Sequence, residues 1–190
     1  MPQHFANFLL VGVSYIVAFS LTLGFVLPLQ KLLLSNIPIS ISVLFLPHGV
    51  RILTYYFYGW RGVLYLLPAA YLMLYLSNSS GLDINPVAPI ISLMSCYVGY
   101  LAGSLITKEK NAPFSNSRWR FFLTVGLISS VANAIGQSML HNPSEISLSI
   151  LGYVIGDMAG LMVAFYVLIV VFRWARLFPR ADDQSSPPND

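Results

Sequence analysis

The sequence predicts an all-α integral membrane protein, a bundle of six transmembrane helices with the second helix broken at Pro47-His48-Gly49. Three observations lead there. Of the 190 residues, 56% are hydrophobic and 9% are charged, with a mean hydropathy of +0.71. The apolar residues gather in blocks of about 20, the length that crosses a hydrocarbon core as helix, where a soluble domain would interrupt them with charge. The third observation is where the basic residues fall. On a six-span frame Arg61, Lys108, Lys110, Arg118, Arg120, Arg173, Arg176 and Arg180 lie on one side, Lys31 alone lies on the other, and Arg51 lies inside. Short loops rich in Lys and Arg stay cytoplasmic during insertion. The bias therefore predicts a multi-pass protein of the cell inner (plasma) membrane with both termini cytoplasmic.

The first span, about Phe5–Leu29, has no Lys or Arg in the preceding stretch and no small-residue cleavage pattern behind it, so no cleavable signal is expected. The second, about Ile37–Trp60, carries Pro47, which removes a backbone donor, and Gly49, which loosens the helix. The third, about Val63–Leu76, is short, so five spans plus a re-entrant second segment is the alternative count. The fourth, about Ile84–Thr107, places Ser92, Cys96, Gly99 and Gly103 on one face, and the fifth, about Trp119–Leu140, does so with Gly126, Ser130, Asn133 and Gln137. The sixth, about Ile146–Phe172, repeats Gly152, Gly156, Gly160 and Ala164. Small residues let membrane helices approach closely, so these last three spans are expected to form the tight core. Trp60, Trp119 and Trp174 each stand beside an arginine, as interfacial anchors do. Residues 1–176 make one transmembrane domain. The polar, Pro-rich stretch 177–190 reads as a disordered cytoplasmic tail.

Arg51 and Asp157 are the only charged side chains well inside the apolar runs. An ionisable group in hydrocarbon costs at least roughly 2.5–3.5 kcal/mol, so it is turned inward and paired, or lines a polar cavity. Helical rise puts His48 roughly 18 Å above Trp60, Asn133 and Gln137 roughly 21 and 27 Å above Trp119, and Asp157 roughly 25 Å above Trp174. These four form one outer polar layer. Arg51 sits lower, roughly 13 Å above Trp60, which counts against a direct salt bridge with Asp157. Arg51 is left with that pair or with a path past Tyr55 and Tyr58 to the inner interface, and Asp157 with His48, Gln137 or shared water. His48, Arg51, Asn133, Gln137 and Asp157 are thus the candidate ligand-binding or polar-core residues, the alternative being that they only join helices.

Other chemistry finds no support. Cys96 is the sole cysteine, and His4 and His141 belong to opposite membrane faces, so no metal site assembles. There is no nucleophile–base–orienter set and no Gly-rich phosphate loop, so no enzyme and no cofactor are expected. The net charge of +3 follows from the topological bias, and no nucleic-acid partner is expected.

The motifs Phe45-Leu46-Pro47-His48-Gly49, Gly59-Trp60-Arg61 and Gly156-Asp157-Met158-Ala159-Gly160, in that order, resemble the membrane-associated sensor domains of the first type (MASE) found in bacterial histidine kinases and diguanylate cyclases. That family has a Pro-x-Gly element entering a span, a Gly-Arg-like inner turn and a Gly-Asp-x-x-Gly element opening the last span. Here these map to Pro47 and Gly49, to Gly59 and Arg61, and to Gly156, Asp157 and Gly160, over about 5–176. The chain departs by carrying Leu46 where the family usually has an aromatic, by its smaller span count, and by the lack of an output domain after Phe172. The resemblance implies a stand-alone sensory or regulatory module acting in signal transduction through a membrane or signalling protein partner, with a small-molecule ligand possible. Two other readings stay open. A small-solute carrier, or the substrate-binding subunit of an importer, suits a broken helix with polar groups at membrane depth, although no internal repeat is evident. A structural subunit of a membrane complex would use the same polar groups only to hold helices together.

Overall fold

The computed structural model describes residues 2–34, 42–82, 84–107, 118–140 and 146–176. Among them all regular structure is helical. Helix α1 (Pro2–Leu21) runs through a π-helical turn (Thr22–Val26) into α2 (Leu27–Leu33). There follow α3 (Leu46–Tyr58), α4 (Arg61–Ser79), α5 (Ala88–Thr107), α6 (Arg118–Ser138) and α7 (Ile146–Ala175). The start of the expected second span, the connections carrying Lys108, Lys110 and His141, and the expected tail at 177–190 lie outside the described residues.

Among the described residues, four helical stretches are long and apolar enough to cross a membrane: Gln3–Leu33, Ala88–Thr107, Trp119–Ser138 and Ile150–Trp174. Their outward faces carry large apolar side chains, among them Leu10, Val13, Leu105, Ile155 and Ile169. So broad an apolar surface is matched to lipid, and the chain is a multi-pass membrane protein. At 13 residues α3 is too short to cross alone. Helix α4 has 19 residues, but Tyr65, Tyr71, Tyr75, Ser77 and Asn78 dilute its apolar character.

The expected break at Pro47-His48-Gly49 is not seen, since all three residues lie within one continuous helix. Helix α3 begins at Leu46, with Pro47 in its first turn, where a missing N–H removes no helical hydrogen bond. Residues 42–45 ahead of it are non-helical. Backbone of that kind is tolerated at membrane depth only where protein groups satisfy it, and here they do. Val43 N donates to Gln30 Oε1 at 2.8 Å, Phe45 N to the Gly156 carbonyl at 2.9 Å, and Leu46 N to Thr22 Oγ1 at 3.3 Å.

This segment changes the role of the α7 glycines. A Cβ added at Gly156 would run into the Ser42 carbonyl, and one at Gly160 into the Phe45 carbonyl. Gly49 of α3 also approaches α7 closely, at the Ala164 methyl group. The last three spans pack together as expected, and α7 takes α3 as a further neighbour. Helix α5 packs along α6, with Gly99 against Ser129 and Gly103 against Val125, and α6 packs along α7 through Gly126 against Leu161. The glycine face of α7 receives α3 and the extended segment before it, because bare backbone can approach a helix closer than a second helix with side chains can.

One end of the bundle is aromatic and basic. Trp60, Trp119 and Trp174 are exposed there, near Arg61, Arg120 and Arg173 in sequence. Inside that end Tyr56, Phe121, Phe122 and Phe165 pack ring on ring, with centroids 4.8 Å apart for Tyr56–Phe122 and 4.5 Å for Phe122–Phe165. The turn from α3 to α4 at this end needs Gly59, whose φ of 55° and ψ of −137° are open to glycine but strained for other residues.

Candidate functional site

A cavity of about 420 Å³ lies toward the opposite end, where α4 passes to α5. Helix α1 with its π-turn, the 42–45 segment, the α4–α5 connection, and helices α5, α6 and α7 each supply part of its wall. Much of that wall is apolar: Phe19, Leu23, Leu27, Leu74, Leu82 and Ile84. The polar part includes Arg51, Asn133, Gln137 and Asp157, four of the five candidates singled out from sequence. His48 is fully buried and packs behind Asp157 instead of lining the space.

Asp157 faces α6 and α3 from the tight turn of α7 between Gly156 and Gly160. Asn133 Nδ2 donates to its Oδ2 at 2.9 Å, and His48 Nδ1 stands 3.4 Å from the same oxygen. The remaining ring nitrogen of His48 lies 3.3 Å from Ser130 Oγ, and Cys96 Sγ is 3.7 Å from Nδ1. A relay of hydrogen bonds continues across the bundle. Ser92 Oγ donates to Asn133 Oδ1 at 2.9 Å, and Gln137 Nε2 donates to Ser92 Oγ and to the Ala88 carbonyl, both at 2.9 Å. Helices α3, α5, α6 and α7 are thus joined by one polar network. Such a network rigidifies a core when its members are satisfied.

Arg51 points elsewhere. Its Nη2 donates to Tyr15 Oη on α1 at 2.7 Å, and its guanidinium carbon lies 5.4 Å from the Tyr15 ring centre and 5.3 Å from that of Phe45. Neither the pair with Asp157 nor the path past Tyr55 and Tyr58 is used. Tyr55 Oη donates instead to the Leu93 carbonyl at 2.9 Å. No carboxylate among the described residues forms an ion pair with Arg51, although its side chain is only 3% exposed. Its Nε and Nη1 are buried without a hydrogen-bond partner. Two aromatic faces offset part of the cost of burying a cation, by roughly 2 kcal/mol where the site is desolvated. They leave Nε and Nη1 unsatisfied, and a carboxylate or phosphate edge would meet one of them together with the second N–H of Nη2.

Sequence reasoning missed Tyr15, Thr22 and Gln30. A tyrosine or threonine in an apolar run carries no signal of its own. Gln30, just past the expected end of the first span, reads as an interfacial residue. Its value shows only when the backbone of Val43 is found to need an acceptor.

The described residues contain no group of three His, Cys, Asp or Glu side chains able to hold a metal ion. No family model matches the chain, and no curated protein or solved structure matches it.

Proposed function

We propose that this protein is a ligand-binding membrane module of the sensory type, with six crossings and both termini cytoplasmic, that signals through a protein partner. The observation that carries the binding half is a single cavity lined by buried Arg51, Asn133, Gln137 and Asp157. Small-molecule sites are concave, mostly apolar, and furnished with a few convergent polar groups, and this cavity is within their usual range of roughly 300–1,000 Å³. The sensory half rests on the order of the Pro-x-Gly, Gly-x-Arg and Gly-Asp-x-x-Gly elements. In support, the first and last of these touch, since Gly49 and the 42–45 segment seat against the Gly160 region. A ligand that shifted this segment would move α3 and α7 together. That gives a sensor a mechanical output.

A second reading, a small-solute carrier, is favoured by one observation. The cavity wall includes non-helical backbone at Ser42 and Phe45 and the π-turn at Thr22 and Leu23. Transporters place their sites at interrupted helices.

Native mass spectrometry of the full chain released from membranes tests the binding half. A small-molecule adduct that disappears in Asp157→Asn is expected. Single cysteines placed by Leu74→Cys and Gln137→Cys, with Cys96→Ser, should also react with a membrane-impermeant thiol reagent from the outer face only. No adduct together with no labelling from that face overturns the reading. Counterflow of the bound compound in proteoliposomes would favour the carrier over the sensor.

A further inference from the structure

We infer, resting on the ligand-binding reading above, that the cavity takes a small zwitterion: a molecule with one anionic acceptor group, one protonated amine and an apolar body between or beside them. Two opposite charges line one cavity without forming an ion pair with each other. Arg51 offers a buried guanidinium with Nε and Nη1 unpartnered, held in place by Tyr15 Oη at 2.7 Å and by the Tyr15 and Phe45 rings. Asp157 is 2% exposed, and both its contacts, from Asn133 Nδ2 and to His48 Nδ1, fall on Oδ2. Its Oδ1 takes part in neither.

Charge decides between ligand classes. A buried charge is stable only when paired and hydrogen-bonded. A simple anion would satisfy Arg51 but sit in the same low-dielectric space as the Asp157 carboxylate. A simple amine would satisfy Asp157 and face the guanidinium. A molecule carrying both groups pairs each wall with its opposite, and the net charge of the filled site is unchanged. The remaining wall of Phe19, Leu23, Leu27, Leu74, Leu82 and Ile84 accepts the apolar body. The planar fork of Arg51 suits a carboxylate at the anionic end.

The test uses the purified full chain and a straight-chain amino acid series from glycine to aminocaproate, with caproate and hexylamine as single-charge controls. One member of the series should raise the thermal midpoint by about 5 °C or more at a hundredfold excess over its Kd, with neither control matching it. Arg51→Lys, which keeps the charge and loses the fork, and Asp157→Asn, which keeps the shape and loses the charge, should each weaken that binding at least about tenfold. Equal stabilisation by caproate would make the site anionic-ligand only, and equal stabilisation by hexylamine cationic-ligand only. Either result overturns the proposal. So does stabilisation by no probe. If a native adduct or outer-face labelling persists in that case, the ligand-binding reading survives without the zwitterion. If both are absent, the two fall together.

Discussion

At the scale of single residues, the unequal treatment of the two Asp157 oxygens is the informative detail. Oδ2 is held by Asn133 and His48, while the side chain as a whole lines the cavity. Asp157→Asn can keep an oxygen where Oδ2 stands, so the protein should fold normally and lose its ligand. Asp157→Leu strands Asn133 Nδ2 and His48 Nδ1 in the core, at roughly 1–3 kcal/mol for each unsatisfied group. It should lower both membrane yield and the detergent melting temperature. Retention of the native adduct in Asp157→Asn would reduce the residue to a packing role, and wild-type melting of Asp157→Leu would remove the network argument. That Arg51 and Asp157 turn inward was legible in the sequence, because a charge inside an apolar run has nowhere else to go. Their partners were not. Tyr15 is 36 positions from Arg51, and nothing in an apolar helix marks which tyrosine will meet a guanidinium.

At the scale of elements, α7 and the non-helical 42–45 segment meet backbone to backbone. Gly160→Ala would drive a methyl group into the Phe45 carbonyl, and since both sides are backbone neither can yield by a rotamer change. We expect a loss of about 1–3 kcal/mol, seen as a lower melting temperature and a weakened native adduct. Gly12→Ala is the matched control. It has no atom within 4 Å of the new methyl, and its helical backbone should gain up to about 1 kcal/mol. Equal melting of the two variants would show that the close approach at Gly160 is dispensable. Gln30→Leu tests the other side of the same segment. Removing the acceptor of Val43 N should cost roughly 1–3 kcal/mol, and an unchanged melting temperature would mean that this backbone finds another partner. The Gly156-to-Gly160 spacing was readable as a close-packing signal. Its partner was not, since a small-residue stripe says only that something comes near.

At the scale of the whole molecule, the opposite characters of the two ends set the expected orientation. The tryptophans and their neighbouring arginines occupy one end, and the cavity lies toward the other. Reporter fusions after Asp83 and after Lys110 should give opposite signals, periplasmic for the first and cytoplasmic for the second. Equal signals would sink the six-crossing frame. That frame requires α4 to cross, and α3 to cross together with the residues before it, neither being apolar and long enough on the pattern of the other four stretches.

By itself the sequence determined the solvent and the secondary structure: blocks of apolar residues of membrane-spanning length can only be helices in lipid, since each must satisfy its own backbone. It also determined which side chains must avoid the lipid, because the cost of exposing Arg51 or Asp157 there is a property of the residue and its neighbours. Only the tertiary structure decided that these two charges face one cavity without meeting, that His48 stands behind it, and that Pro47, His48 and Gly49 fall inside a helix that begins at Leu46. Each of those outcomes depends on hydrogen bonds between groups far apart in the chain. Gln30 with Val43, Thr22 with Leu46, and Arg51 with Tyr15 are set by how the helices are arranged, and local residue pattern carries no record of that arrangement.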